Sequence, residues 1–280
     1  MIGACGAQNA APSRYPATGL VLMSLRDGSM RSGASIGGDP VAVTLSDDGK
    51  TAYVADSTPG DVYAVSLPNF HVHWKTHTGG APFGLLVHGG RLYVTLYDNA
   101  EVAELDPSDG HVLTRSSTTP HPAAITVDSS GLVVEAGGSG FGIALVGDTL
   151  WTADYKQDAL LPGGLGVSVP LPVKVHPFWL SPGPGHTLLI AAEGDSEDTD
   201  PGAVFSFDVM THAFTTLARP RDPDQVISAG GAIFVAAHGD REVLAIEGGA
   251  THRWAQGASP VGLAADPSLG LLVVAVNSHE

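Results

Sequence analysis

Cysteine is all but absent, with one residue, Cys5, in 280. A lone thiol excludes an internal disulfide, a CxxC pair and every zinc-finger spacing. Soft-metal chemistry built on several thiolates is excluded with them. Charge is also scarce, at 15% of residues, and lopsided: 13 bases face 29 acids, for a formal net charge of −16. Such a chain repels a phosphate backbone and an anionic lipid surface, so nucleic acid is not an expected partner. No run of eighteen apolar residues occurs, and no membrane-spanning helix is expected. The GxSxG elbow, HExxH, the Walker loop and a GxGxxG between strand and helix are all missing.

What the chain does have is glycine (36) and proline (20), spread among short apolar runs such as VAVTL, LYVTL and LLVVAV. That is the composition of many tight turns between many short strands. A repeat organises them. An apolar strand, most often opened by a proline, then a turn and a second apolar strand recur as GDPVAVTLSDDGKTAYVAD from Gly38 and GAPFGLLVHGGRLYVTLYD from Gly80. Further copies begin at Ser139, Val175, Arg221 and Ala258. Anchored on Pro40, Pro82, Gly140, Pro177, Pro223 and Pro260, the spacing centres near forty residues, the period of a four-stranded propeller blade. The expected fold is all-β, a six-bladed β-propeller. The piece from His121 to Gly138 leaves a reduced seventh blade as the alternative. The last copy has only two strands, and the chain opens with two unpartnered ones, TGLVLMSL and the stretch around SMRSGAS. Closure by N-terminal outer strands on C-terminal inner strands follows, which leaves the ring without an open edge.

The segments YVAD at Tyr53 and YVTLYDN at Tyr93, each after a DG or GG turn, resemble the YVTN-type propeller repeats of exported bacterial and archaeal proteins. The resemblance runs from about Thr18 to the end and implies a fold, not an activity, because that ring hosts lactonases, lyases, redox enzymes and scaffolds alike. Residues 1–17 read as a tether and 18–280 as one domain. Ile2-Gly3-Ala4-Cys5 is similar to the tail of a bacterial lipoprotein signal, which implies an exported, envelope-located protein anchored through Cys5.

A propeller turns the twelve histidines into a map. The loops leading into each inner strand and those leaving each second strand share one face, here the upper face. His77, His121, His176, His238 and His279 fall there, with Asp39, Asp56, Asp98, Asp154, Glu193, Asp195, Asp222 and Asp240. Rim loops carry polar residues simply because they are solvated. Imidazoles and carboxylates on one rim are also the raw material of a metal site. A second cluster is NFHVHWKTH, where His71 and His73 stand two apart on a strand and so share a side. Phe70-His71-Val72-His73 resembles the FHVH copper-ligand segment of copper-zinc superoxide dismutases, and nitrous oxide reductases hold copper on histidines in a propeller hub. The candidate metal ligands are therefore His71, His73, His121, His176, Glu193 and His238. Copper is the expected metal, with zinc and calcium as alternatives. The acidic stretch EGDSEDTDPG from Glu193 lacks the ligand spacing of an EF-hand and reads as a solvated charge run.

Three functions fit. One is a copper-dependent oxidoreductase acting on a small molecule, superoxide being the candidate the FHVH resemblance suggests. Another is a non-catalytic scaffold that binds an envelope protein. The third is a metal-assisted lactonase or lyase using oxygen ligands, for which Glu193, Asp154 and Asn277 are at hand. The four tryptophans are expected to pack between blades rather than to form a ligand cage.

Overall fold

The computed structural model describes residues 15–128, 130–134, 140–163, 167–195 and 200–277. Among them are strands and turns, without a helix. Six four-stranded antiparallel sheets are arranged around an axis. Blade 1 runs from its inner strand Pro40–Leu45 to its outermost strand Val72–His77, and blade 2 from Pro82–His88 to Val112–Ser117. Blades 3, 4 and 5 start at Gly140–Val146, Pro177–Pro182 and Pro223–Ala229 and end at Val169–Pro170, Ala213–Ala218 and Ala250–Trp254. Each inner strand packs on that of the next blade except between blades 2 and 3, and the inner strand of blade 6 packs back on that of blade 1.

Blade 6 closes the ring as the sequence predicts. Its inner strands are Pro260–Asp266 and Leu271–Val276, and its outer strands come from the N-terminal part, Gly19–Ser24 and Met30–Ala34. Leu20 to Met23 pair with Ala275 to Leu272 and are at most 1% exposed, so the seam is as dry as any other blade centre. The piece at His121 is a two-stranded hairpin, Ile125–Asp128 with Gly131–Val134, set between the inner strands of blades 2 and 3. It is tethered on both sides. Thr95 Oγ1 accepts from Gly84 N and donates to the Ala123 carbonyl, both at 2.7 Å, and Ala124 N donates to the Phe141 carbonyl at 3.1 Å. A β-carbon on Gly84 would lie 2.2 Å from the Ala123 oxygen, which explains the glycine.

Second strands such as Thr51–Asp56, Thr187–Ala192 and Leu271–Val276 are buried on nearly every residue, because a neighbouring blade covers each face. That is why they read as continuous apolar runs instead of alternating ones. Outermost strands such as Val112–Ser117 are mostly exposed and correspondingly polar. Trp74, Trp151 and Trp254 pack between strands as expected.

Much of the acidity sits in the lower-face turns. Asp27, Asp48, Asp106, Asp109, Asp128, Asp208 and Asp266 each accept the backbone N–H two residues on. Side-chain hydrogen bonds from Ser29, Ser46, Ser108, Ser130 and Ser268 hold the carboxyls of Asp27, Asp48, Asp106, Asp128 and Asp266 below the ordinary value. These acids set turn geometry.

Candidate functional site

Three positions of the blade repeat line the upper mouth; blade 3 supplies two described residues and each of the other blades three. The first follows the second strand: Ser57, Tyr97, Tyr155, Glu193, His238 and Asn277 in blades 1 to 6. In five blades its N–H donates to the carbonyl of the residue before the inner strand. The pairs are Ser57 to Asp39, Tyr97 to Ala81, Glu193 to His176, His238 to Asp222 and Asn277 to Ser259, at 2.9 to 3.1 Å. That residue before the inner strand is the second contributor.

The third comes from a bulge. In all six inner strands the pairing register shifts just after the first residue. A bulge leaves one residue out of the ladder and re-aims its side chain. The residues so placed are Val41, Phe83, Phe141, Phe178, Asp224 and Val261. Five of them, all but Phe141, line one axial cavity of about 150 Å³ with Trp179 and Gln225. Trp179 thus does more than pack between blades.

These rings are chemically two-sided. Blades 2, 3 and 4 supply an aromatic side: the Tyr97 and Phe141 rings stack with centroids 6.5 Å apart, Phe141 meets Phe178 at 5.0 Å and Tyr155 at 5.5 Å, and Phe83 meets Tyr97 at 6.0 Å. Blades 4 and 5 supply an acidic side. Glu193, Asp222 and Asp224 present carboxylate oxygens within 4.8 Å of one another, with Glu193 and Asp222 only 8% exposed. Tyr155 Oη donates to Glu193 Oε2 at 3.0 Å and joins the two sides. His238 Nδ1 lies 3.8 Å from Asp224 Oδ2, is fully buried, and has no hydrogen-bond partner among the described residues.

The histidines separate accordingly. His238 reaches the acidic cluster. His176 donates from Nδ1 to the Tyr155 carbonyl at 2.9 Å, stacks on the Tyr155 ring at 4.8 Å, and has Nε2 3.4 Å from Asp195 Oδ1. His121 is exposed and lies on the Tyr97 ring at 4.6 Å. His121, His176 and Asp222 keep φ at 61°, 49° and 43°, a region that costs a non-glycine residue about 1–2 kcal/mol. Each stands before a proline, as does Ala81 with φ at 51°, so the conformation belongs to the repeat's entry into a strand. His71, just before the outermost strand of blade 1, and His73, on it, have ring centroids 5.5 Å apart, and both are exposed. His279, Cys5 and residues 196–199 of the acidic stretch lie outside the described residues.

Among the described residues, two groups of three have the spacing of metal ligands, and neither contains two imidazoles. The second, Asp106, Asp109 and His111, is a lower-face turn: Asp109 Oδ1 holds His111 Nδ1 at 2.7 Å, and Asp106 Oδ1 holds Ser108. Another cavity, of about 610 Å³, opens on the lower face between Asp47, Gln225 and Asp266. It lacks a converging ligand set among the described residues, whereas the upper mouth has one.

The sequence placed Glu193, Asp222 and His238 on the upper face and named Glu193 and His238, but not Asp222, as candidate ligands; Asp224 and the aromatic side lay outside its reading. The signal was available: at the position after the strand's first residue, five copies carry Val or Phe and one carries Asp.

No family model and no curated protein sequence matches the chain. Solved structures do. A streptogramin B lyase superposes with TM-score 0.72 at 14% identity, over 92% of this chain and 95% of that one. A Bacteroides fragilis protein assigned as a 6-phosphogluconolactonase gives 0.65 at 14%, over 90% and 99%. BamB from Moraxella catarrhalis gives 0.53 at 16%, over 95% and 94%. At such identities the likeness is one of fold, and the chain is an all-β, six-bladed β-propeller.

Proposed function

We propose that the upper mouth is a divalent-cation site at which a lactone or ester-like substrate is opened by hydrolysis or elimination. The observation that carries this reading is the convergence of Glu193, Asp222 and Asp224 beside His238. Two oxygens bound to one hard cation at about 2.1–2.6 Å can be no more than about 5 Å apart, and this triad meets that limit. An all-carboxylate set suits Mg²⁺, Ca²⁺ or Mn²⁺ better than copper, which favours imidazole. Glu193, Asp222 and Asp224 would hold the cation, which when bound polarises a substrate carbonyl. The structural neighbours described as a lyase and a lactonase are consistent with the same class.

The protein's own groups do the rest. Tyr155 fixes Glu193 through its hydroxyl. An Nδ1–H on His238 directed at the Asp224 carboxylate leaves Nε2 as the basic nitrogen, able to take a proton from water or from a substrate carbon. The copper reading keeps only the His71 and His73 pair, which is without a third described ligand within metal-binding spacing.

The test is a panel of lactones and esters with chelator-treated protein, resupplied with Mg²⁺, Ca²⁺, Mn²⁺ or Cu²⁺ singly, with acid release as the readout. Turnover restored by an oxygen-preferring cation and lost in Asp222→Asn and His238→Asn supports the proposal. Turnover restored by Cu²⁺ alone, or none with any cation, overturns it.

A further inference from the structure

We infer that the axial cavity below the cation site is a subsite for a single aromatic ring of the substrate. The inference rests on the proposed cation site and specifies which substrates that site takes.

The cavity is walled by Val41, Phe83, Phe178, Trp179 and Val261, with Asp224 as its one charged side chain. Its apolar walls are half-buried side chains on the six-fold set of bulges, so they are held by blade geometry and not by a loop. A volume of about 150 Å³ is that of a cavity which accepts a benzene-sized guest. A drug-sized ligand needs several hundred cubic ångströms. Phe83 and Phe178 supply ring faces and edges, which an aromatic guest engages more favourably than an alkyl chain of equal area.

Asp224 belongs to both places. It lines the cavity, and it is one of the three carboxylates of the cation cluster. A ring seated against Phe83 and Phe178 therefore has its substituent beside the cation ligands. The substrate class this selects is an aryl or benzylic ester, or a lactone bearing one monocyclic aryl group close to the carbonyl. The bulk of a longer substrate would lie on the Tyr97 and Phe141 side of the mouth, because the cavity leaves no room for it.

The experiment uses intact protein, benzyl alcohol as a neutral monocyclic probe, and n-butanol and 2-naphthalenemethanol as comparisons. Binding is read from tryptophan fluorescence, since Trp179 lines the cavity, and from calorimetry, with and without added Ca²⁺. Benzyl alcohol is expected to bind with one-to-one stoichiometry, more tightly than n-butanol or the bicyclic probe. Val261→Phe, which fills the cavity, is expected to weaken it by about tenfold or more, with Ca²⁺ affinity unchanged. Phe178→Ala, which enlarges the cavity, is expected to admit the bicyclic probe. Equal affinity for benzyl alcohol and n-butanol overturns the inference, and so does an unchanged benzyl alcohol affinity in Val261→Phe. Benzyl alcohol binding without Ca²⁺ binding would leave the ring subsite standing and remove the cation site. The reverse result would remove the subsite alone.

Discussion

Neutralising one carboxylate of the mouth should stabilise the protein without cation and destabilise it, relative to wild type, when cation is present. Glu193, Asp222 and Asp224 bring oxygens within 4.8 Å of one another. Two unit charges at that distance repel by about 0.9 kcal/mol in bulk water and about 3.5 kcal/mol at an effective dielectric of 20. Asp224→Asn removes two of the three pairs. Allowing for water at the mouth and for hydrogen bonds that the amide does not reproduce, a gain of about 1–3 kcal/mol is expected in chelator. For a chain of this length that raises Tm by roughly 2–6 °C. Cation at a thousandfold excess over Kd should stabilise wild type by about 4.1 kcal/mol and leave the variant unmoved, so the order of melting temperatures reverses. Differential scanning calorimetry of both proteins, with chelator and with Ca²⁺ or Mn²⁺, reads this directly. A lower Tm for Asp224→Asn in chelator would refute the reasoning, because the three carboxylates would then be held by structural donors and not strained toward a cation.

Three further outcomes follow from the framework. Asp56 is fully buried and accepts the backbone N–H groups of Gly38 and Asp39. Asp56→Ala orphans both donors and should cost about 2–4 kcal/mol in urea denaturation; a loss below about 0.5 kcal/mol would mean water replaces the carboxylate. Ala81 holds φ at 51°, so Ala81→Gly should stabilise the fold by about 1 kcal/mol by the same assay, and a loss of stability would contradict that backbone geometry. Burial pushes the Asp61 carboxyl up, but the hydrogen bonds and charges of Lys75 and His77 outweigh it and hold the group below its ordinary 3.8. A depressed folded value gives stability that is present above 3.8 and is lost as pH falls through the folded value. Discounted for the half-exposed Lys75, that contribution is about 1 kcal/mol. The stability gap between wild type and Asp61→Asn should therefore close between about pH 5 and pH 2, and a gap independent of pH would refute the assignment.

The fold was legible because its signal is repeated. All six proline- or glycine-led copies become inner hairpins, and the unpartnered TGLVLMSL and SMRSGAS segments become the outer strands of blade 6. The short hairpin at Ile125 was legible as an irregularity, but only the Thr95 and Ala124 hydrogen bonds show how it fills its place between two blades. The site was half legible. Loop positions could be sorted by face from the strand order, which brought Glu193, Asp222 and His238 together on paper. Bulges shift register without leaving a mark in hydrophobic periodicity, so the axial side chains, Asp224 among them, could not be assigned a direction. Sorting histidines by face could not show what each ring meets: His121 and His176 lie against tyrosine rings and His238 faces a carboxylate.

The most direct measurement is a calorimetric titration of chelator-treated protein with Ca²⁺, Mn²⁺ and Cu²⁺ in turn. The account predicts one equivalent of Ca²⁺ or Mn²⁺, abolished by Asp222→Asn and by Glu193→Gln and untouched by replacing His71 and His73 with alanine. Binding of Cu²⁺ alone, lost when His71 and His73 are replaced, would contradict it.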